Sequence, residues 1–336
     1  MDRVTMADGA GGVSTQRLID SLFAKYLGND YLSQMEDATR VPGGAELALT
    51  TDSFVVTPIE FPGGNIGRLS VCGTVNDVLM SGAKPRYLTA GWILEEGLAL
   101  SVLESCVRAM AETAKEAGVF VVAGDTKVIE NRSGKEPGIM INTAGCGVFD
   151  EKHRPVSADL VKEGDVILLS GNLGDHHAAL LGKRMGIEND IVSDNAPLSQ
   201  MVEALEQAGV ALHEMRDVTR GGLATVLNEF AESTGKTFVL SEEALPVSPA
   251  VRSFAGILGL DPLYMGNEGK MVCIVDAKDG DRALQILQGS RYGENAAAIG
   301  TVTKAEGGRP GVVLATKVGG RRILGPLYGE GLPRIC

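Results

Sequence analysis

The chain has 336 residues, 44% of them apolar and 22% charged, with a net charge of −12 and a pI near 4.9. That length predicts about two domains and a core that needs no covalent staples. The negative balance, with no basic run to neutralise phosphates, argues against a nucleic-acid partner.

The start, "MDRVTMADGAGG", lacks the apolar core of a signal peptide, and the runs in "DVILLSG" and "VFVVAG" are too short to span a bilayer. A cytoplasmic enzyme without a membrane partner is expected. The Gly-rich start leads into "STQRLIDSLFAKYL", where Leu18, Ile19, Leu22, Phe23, Tyr26 and Leu27 recur at helical spacing. "ELALTTDSFVV" predicts a strand, and "FPGGNIGRLSVCGTVNDVLMSGAKP" a Gly-rich loop, a helix and a stop. "RYLTAGWILEEG" is a strand and "SVLESCVRAMAETAKEAG" a helix ending at Gly118, followed by strands "VFVVAGDTKV" and "GIMINTAGCGVF". The polar stretch "EKHRPVSADLVKEGD" holds a predicted boundary, giving domains 1–155 and 156–328. The second half restarts with strand "VILLSG" and loop "NLGDHHA", then a helix around "PLSQMVEALEQAG", a turn feeding a helix in "MRDVTRGGLATVLNEFAESTG", and a helix in "PVSPAVRSFAGILG". Strand "GKMVCIVD" and a β-α-β-β pattern complete it. Alternating strands and helices in both halves predict two sheets covered by helices.

Five cysteines, Cys72, Cys106, Cys146, Cys273 and Cys336, show no C-x-x-C spacing and are odd in number, so neither a disulfide framework nor a zinc site is suggested. Four lie in helix or strand patterns and read as small buried hydrophobes. Cys336 differs. It follows "GEGLPRI", where two glycines and a proline precede it and no apolar periodicity ties it down.

Neither G-x-x-x-x-G-K-[ST] nor G-x-G-x-x-G occurs; "GAGGVS" fails at its last position. Acidic residues at element ends offer another way to hold a nucleotide: Asp52 in "TTDS", Asp77 in "TVND", Asp125 in "AGDTK" and Asp217 in "RDVTRGG". Mg²⁺ takes one or two carboxylates and completes its shell with substrate phosphates, so dispersed aspartates suit a triphosphate with more than one Mg²⁺. Lys127, two residues past Asp125, stands on the same strand face and can reach a transferring phosphoryl group. A lone aspartate after a strand is more often a turn or N-cap residue. The joint arrangement with "DGAGG", "FPGGN" and "NEGK" is what carries the reading.

The set "DGAGG", "TDSFVV", "FPGGNIG", "CGTVNDVLMSGA", "GDTKV", "SGNLGDH", "RDVTRGG", "NEGK" and "PRIC" resembles the HypE family of [NiFe]-hydrogenase maturation factors, the carbamoyl dehydratases. The likeness covers essentially the whole chain. It extends to aminoimidazole ribonucleotide synthetase, selenophosphate synthetase and thiamine-monophosphate kinase, from which "PRIC" separates it. The resemblance implies an α/β (α+β) fold of two PurM-like domains, an N-terminal α/β domain that binds ATP and dimerises through its strands and a C-terminal α/β sandwich. It also implies a flexible tail, 329–336, carrying Cys336.

It further implies the chemistry. The transferase HypF carbamoylates Cys336, the chain dehydrates that thiocarbamate with ATP and Mg²⁺, and the resulting cyano group passes to iron on HypC and HypD. Nucleotide would be held by Gly11, Gly12, Asp52, Asp77, Asp125, Thr126, Asp217 and Asn267, with metal on Asp52, Asp77, Asp125 and Asp217. Cys336, Lys127, Glu268 and His176 are the catalytic candidates, with Glu268 and His176 competing for the base. "GDHHA" leaves His176 and His177 as alternatives, His176 holding the motif position. Arg334 is a candidate contact for an acidic surface or phosphate. A selenophosphate-synthetase-like activity would want a cysteine in the first Gly-rich segment, and "MADGAGG" has none. A carrier that only displays Cys336 is the other alternative.

Overall fold

A computed structural model describes residues 3–9, 17–32, 41–131, 134–305 and 307–327. Gly11, Gly12, Arg334 and Cys336, with all of the 329–336 tail, lie outside the described residues.

Two main sheets divide the chain. The first has four strands in the order β1-β6-β4-β5, where β1 is Leu47–Phe54, β4 Lys84–Glu95, β5 Phe120–Ile129 and β6 Ile139–Val148. Glu60–Phe61 (β2) and Gly64–Asn65 (β3) form a small hairpin ahead of helix α1, Ile66–Met80. Asn65 caps α1 by accepting from the Arg68 amide at 3.1 Å. Almost every α1 residue is buried, so the helix shows no polar face; it lies between the first sheet, helix α2 (Leu100–Ala117) and the second sheet. Gly67 permits the α1–α2 approach, because a Cβ there would fall 1.9 Å from the Cys106 carbonyl oxygen. In α2 the apolar stripe Leu103, Cys106, Val107, Met110 and Ala114 faces inward, and Gly118 closes the helix at φ 74°.

The inner face of this sheet, with Leu88, Ala90, Trp92 and Leu94 of β4, packs into the core. On the outer face Leu49 is 75% exposed and Phe120 47%, with Tyr31 edge-on to Phe120 and Tyr87.

The second sheet runs β13-β12-β9-β11-β7-β10-β8, with β7 Val166–Leu169, β8 Leu212–Asp217, β9 Thr237–Ser241, β10 Met271–Val275, β11 Ala297–Thr303, β12 Gly311–Ala315 and β13 Arg321–Leu324. All its pairs are antiparallel except β9 with β12. Among the described residues this half carries five helices: α4 (Ser199–Gln207), α5 (Gly222–Thr234) and α7 (Gly280–Gly289), and α3 (Asp175–Met185) and α6 (Pro249–Leu258), which pack on each other in a separate apolar cluster with Ala178, Ala179, Val251, Phe254 and Met265. The strand period of two sorts its side chains. Ile167, Leu169, Val272 and Ile274 face a core with Leu223, Leu227 and Phe230 of α5. Leu168, Met271, Cys273 and Val275 face the opposite way and join the core of the first half. The two halves therefore share apolar contact, and β8 is brought against α1.

Most predicted elements are present, with differences. The first helix is a short π-turn, Ile19–Phe23, continued by Ala24–Leu27. Where the sequence reads as the loop "NLGDHHA", α3 begins at Asp175, started by Gly174 at φ 85°. The strands β9 and β13 and the β2–β3 hairpin were not expected, nor was β8: "MRD" reads as part of a turn, whereas Met215, Arg216 and Asp217 complete the strand Leu212–Asp217, paired with β10. Among the described residues no helix is long and apolar enough to cross a membrane.

Candidate active site between the two sheets

β1 lays Thr50 and Asp52 toward α1, two residues apart and so on one face. Gly73 makes this possible: a Cβ there would stand 2.8 Å from the Phe54 ring and 3.5 Å from Asp52 Oδ2. One turn further along α1, Asp77 accepts from Thr50 Oγ1 at 3.0 Å. Burial raises both carboxyl pKa values, and for Asp77 the charge of Asp52 adds to it.

The second half supplies two more acids. Asp217 ends β8, paired with Met271 of β10. Its pKa is pushed up to about 7 by burial and then by Asp77 and Asp52, so carboxylates from both halves feel one another. Glu268 precedes β10 and is 4% exposed. Burial, followed by Asp217, Asp194, Asp52 and Asp77, holds its carboxyl well above the ordinary range. Asn267 fixes this turn: its side chain accepts from the Gly174 amide at 2.7 Å and donates to the Val218 carbonyl at 3.0 Å. The Glu268 amide donates to Asp194 Oδ1 at 3.1 Å.

The structure thus gathers Asp52, Asp77, Asp217 and Glu268, with Asn267 as their brace. It does not bring Asp125, Thr126 and Lys127 to them within one chain. Asp52 is in register with Thr143, Ala90 and Gly124 across the first sheet, on the inner face, whereas Asp125 aligns with Gly91, Asn142 and Ser53 on the outer face. Three strand spacings, about 14 Å, also separate the two edges. Asp125 is bound through both oxygens by Lys127, at 2.7 and 2.8 Å, which lowers its pKa. Thr126 donates its amide to Asp125 Oδ1 at 2.9 Å.

His176 is fully buried, bonded through Nδ1 to Ser193 Oγ at 2.7 Å and edge-on to Phe61 at 5.4 Å. That setting joins the β2–β3 hairpin to α3. His177 is also buried, its pKa lowered to about 4 by burial and by its neighbours His176 and Arg184. Asp194 was missed in the sequence because "SDNAP" between apolar runs reads as an ordinary turn.

The donor set can be tested against Mg²⁺. Four acids crowd a mostly buried region; Arg216 and Arg220 lie near enough to offset part of the repulsion on Asp52, Asp77 and Asp217, yet burial still leaves these carboxyls raised. No three acids converge into a finished metal cage there. Separated carboxylates that repel one another suit a hard cation whose remaining shell comes from phosphates and water. Asp52, Asp77 and Asp217 fit that role; Asp125 fits it only if its carboxylate leaves Lys127.

Comparison with known proteins agrees in scale and shape. Residues 35–149 match the AIR synthase related protein, N-terminal domain, and residues 162–313 the AIR synthase related protein, C-terminal domain. The chain is 47% identical to carbamoyl dehydratase HypE of Cupriavidus necator over 99% of this chain and 95% of the relative. It superposes on a hydrogenase maturation protein HypE solved in complex with ATP, with a TM-score of 0.93 at 44% identity over 99% of both chains. A HypE–HypF complex gives a TM-score of 0.79 at 44% identity, over 92% of this chain and 99% of that one.

Proposed function

The chain belongs to the HypE family of carbamoyl dehydratases of hydrogenase maturation, and on that premise we propose that it uses Mg²⁺ and ATP to dehydrate an S-carbamoyl group on its own Cys336. The product is a thiocyanate whose cyano group goes to the iron of a [NiFe]-hydrogenase. ATP as cosubstrate is supported by the ATP-bound relative, and HypF as a partner by the HypE–HypF complex; the carbamoylating role of HypF belongs to the proposal. HypC and HypD are the proposed receivers. Residues 1–155 and 156–328 act as the two domains, and 329–336 as the arm.

The observation that carries the reading is the packing of β8, which ends in Asp217, against α1, which carries Asp77, with Glu268 buried just ahead of β10. The carbamoyl oxygen attacks the γ-phosphorus, ADP leaves, and one N–H proton is lost. The C–O bond then breaks, phosphate departs, the second N–H proton is taken, and the C≡N bond is complete. Asp52, Asp77 and Asp217 would hold Mg²⁺, which neutralises phosphate charge when bound. Glu268, a stronger proton acceptor than an exposed glutamate, is assigned the proton from nitrogen. His176, sealed between Phe61 and Ser193, is assigned a positioning part. Burial of Glu268 also keeps water from the intermediate.

The apolar side chains exposed on the outer face of the first sheet support a homodimer. A second copy seated there would bring its own Asp125, Thr126 and Lys127 toward the nucleotide, where Lys127 can meet the γ-phosphate. Intact mass spectra test the whole reading. After incubation with HypF and its carbamoyl donor, Cys336 should gain one carbamoyl group and lose one water when Mg-ATP is added. Carbamoylation without water loss would make the chain a carrier. No modification of Cys336 would sink the assignment of the arm.

A further inference from the structure

The segment 193–198, just ahead of α4, runs between α1 and the "NEGK" turn and is bonded to both. On the α1 side the contact is made by Asn76, the residue before Asp77 and 2% exposed. Its Nδ2 donates to the Ala196 carbonyl at 3.1 Å, and its Oδ1 accepts from the Leu198 amide at 2.9 Å. Both ends of the amide are thus committed to main chain, as those of a neighbouring strand would be. Arg68, earlier on α1, donates Nε to the Asn195 carbonyl at 2.9 Å, and the Ser193 amide donates to the Pro62 carbonyl at 2.9 Å. The first half therefore grips this segment at both ends.

On the other side, Asp194 accepts from the Glu268 amide at 3.1 Å. The Ala196 amide donates a longer bond to the Glu268 carbonyl, at 3.4 Å. Gly269 permits so close an approach: a Cβ there would fall 2.0 Å from the Asp194 carbonyl oxygen and 2.8 Å from the Ala196 nitrogen. Asn195 adds no side-chain bond, since its amide, 4% exposed, has no hydrogen-bond partner among the described residues. Asp194 Oδ2 has none either, and Lys270 Nζ stands 3.6 Å from it. A carboxylate this buried, with one amide donor and a lysine beyond hydrogen-bond distance, is an unfavourable way to fill space. What it does supply is an acceptor at a fixed point for the main chain of Glu268. Displacing a reacting group by about 1 Å can cost about 10²-fold in rate, so a fixed point there matters to the chemistry.

We propose that Asn76 and Asp194 are positioning residues for the dehydration: through the 193–198 segment they hold the Glu268 main chain at a set distance from Asp77, and so the base from the acids of α1 and β1. The inference rests on the base role proposed for Glu268 and adds the residues that act through it.

Single-turnover water loss from the carbamoylated full-length protein, followed by intact mass, tests this. Asp194→Asn keeps an oxygen for the Glu268 amide and should stay within about threefold of wild type. Asp194→Glu keeps the charge but carries the acceptor one methylene away, and should be slower by about ten- to hundredfold. Asn76→Ala should be slowed to a similar degree. Its Mg-ATP concentration for half-maximal rate should stay within about twofold of wild type, because Asp77 keeps its bond from Thr50. In a Glu268→Gln background, Asp194→Glu should cost less than about threefold, since a residue that acts through Glu268 has little left to act on. A merely structural part would slow both backgrounds alike. Equal loss in the two backgrounds, or asparagine slower than glutamate at position 194, overturns the proposal. Asp194→Asn decides it even if the glutamate variant folds poorly, because a tenfold loss there makes the charge and not the placement what counts. Slow Glu268→Gln with fast Asp194→Glu and Asn76→Ala keeps the base reading and removes the two positioning residues. Wild-type water loss in Glu268→Gln alone removes both.

Discussion

Asp217→Asn should make the protein more stable and less able to use ATP. The Asp217 carboxyl sits at about 7 against an ordinary value of 3.8. Between those values the folded chain binds a proton that the unfolded chain has released, so stability falls as pH rises from about 4 to about 7 and stays lost above. A rise of that size corresponds to about 4 kcal/mol at 1.36 kcal/mol per tenfold. Because Asp77 and Asp52 share the repulsion, removing one charge should recover roughly 2–4 kcal/mol. Asparagine keeps the shape and discards the charge. Thermal unfolding at pH 8 should show Asp217→Asn melting higher by several degrees, with the gain shrinking at pH 5 as the wild-type carboxyl protonates. Adding Mg-ATP should raise the wild-type midpoint more than the variant's. A variant no more stable than wild type at pH 8, or a gain independent of pH, would refute the idea that incompletely compensated charge defines this cleft.

Glu268→Gln should still accept a carbamoyl group at Cys336 but lose water about 10²–10⁴-fold more slowly, read by single-turnover mass spectrometry; an unchanged rate removes Glu268 as base. Lys127→Ala discards an exposed ion pair worth at most about 1 kcal/mol, so its melting curve should overlay wild type while carbamoyl-dependent ADP release collapses; a large melting shift without that loss would mark Lys127 as structural. Leu49→Asp places a charge on the outer sheet face and should convert dimer to monomer in sedimentation runs, whereas an unchanged mass would rule that face out as the interface. Gly67→Ala drives a Cβ against the Cys106 carbonyl and should lower denaturant stability by about 1–3 kcal/mol; no change would mean that α1 and α2 can separate freely.

What the sequence disclosed follows from how far each signal reaches. α2 was legible because its buried stripe and Gly118 lie within a single stretch of chain. Asp52, Asp77, Asp125 and Asp217 were legible as chemistry, but the division of Asp52 and Asp125 between the inner and outer faces was not. It depends on strand register, which pairs Asp52 with Thr143 and Asp125 with Gly91. α3 was hidden because its first turn is two histidines at the end of a glycine-rich loop and Gly182 interrupts its later half. α1, buried on all sides, showed an apolar run whose orientation only the packing of both sheets decides. Asn195 carried no signal at all, since an orphaned amide is a property of its surroundings. His176 was named by its motif, yet its burial against Phe61 and Ser193 points to positioning.

The split of the acids between the halves bears on the order of synthesis. Asp52 and Asp77 emerge first, and Asp217 and Glu268 follow after well over a hundred further residues. A nascent chain with only its first half folded carries half the charge of the cleft and none of the "NEGK" turn. On the proposed assignment of the site, such a chain lacks half of the acids that would handle nucleotide, and competence waits until translation has passed the segment that completes them.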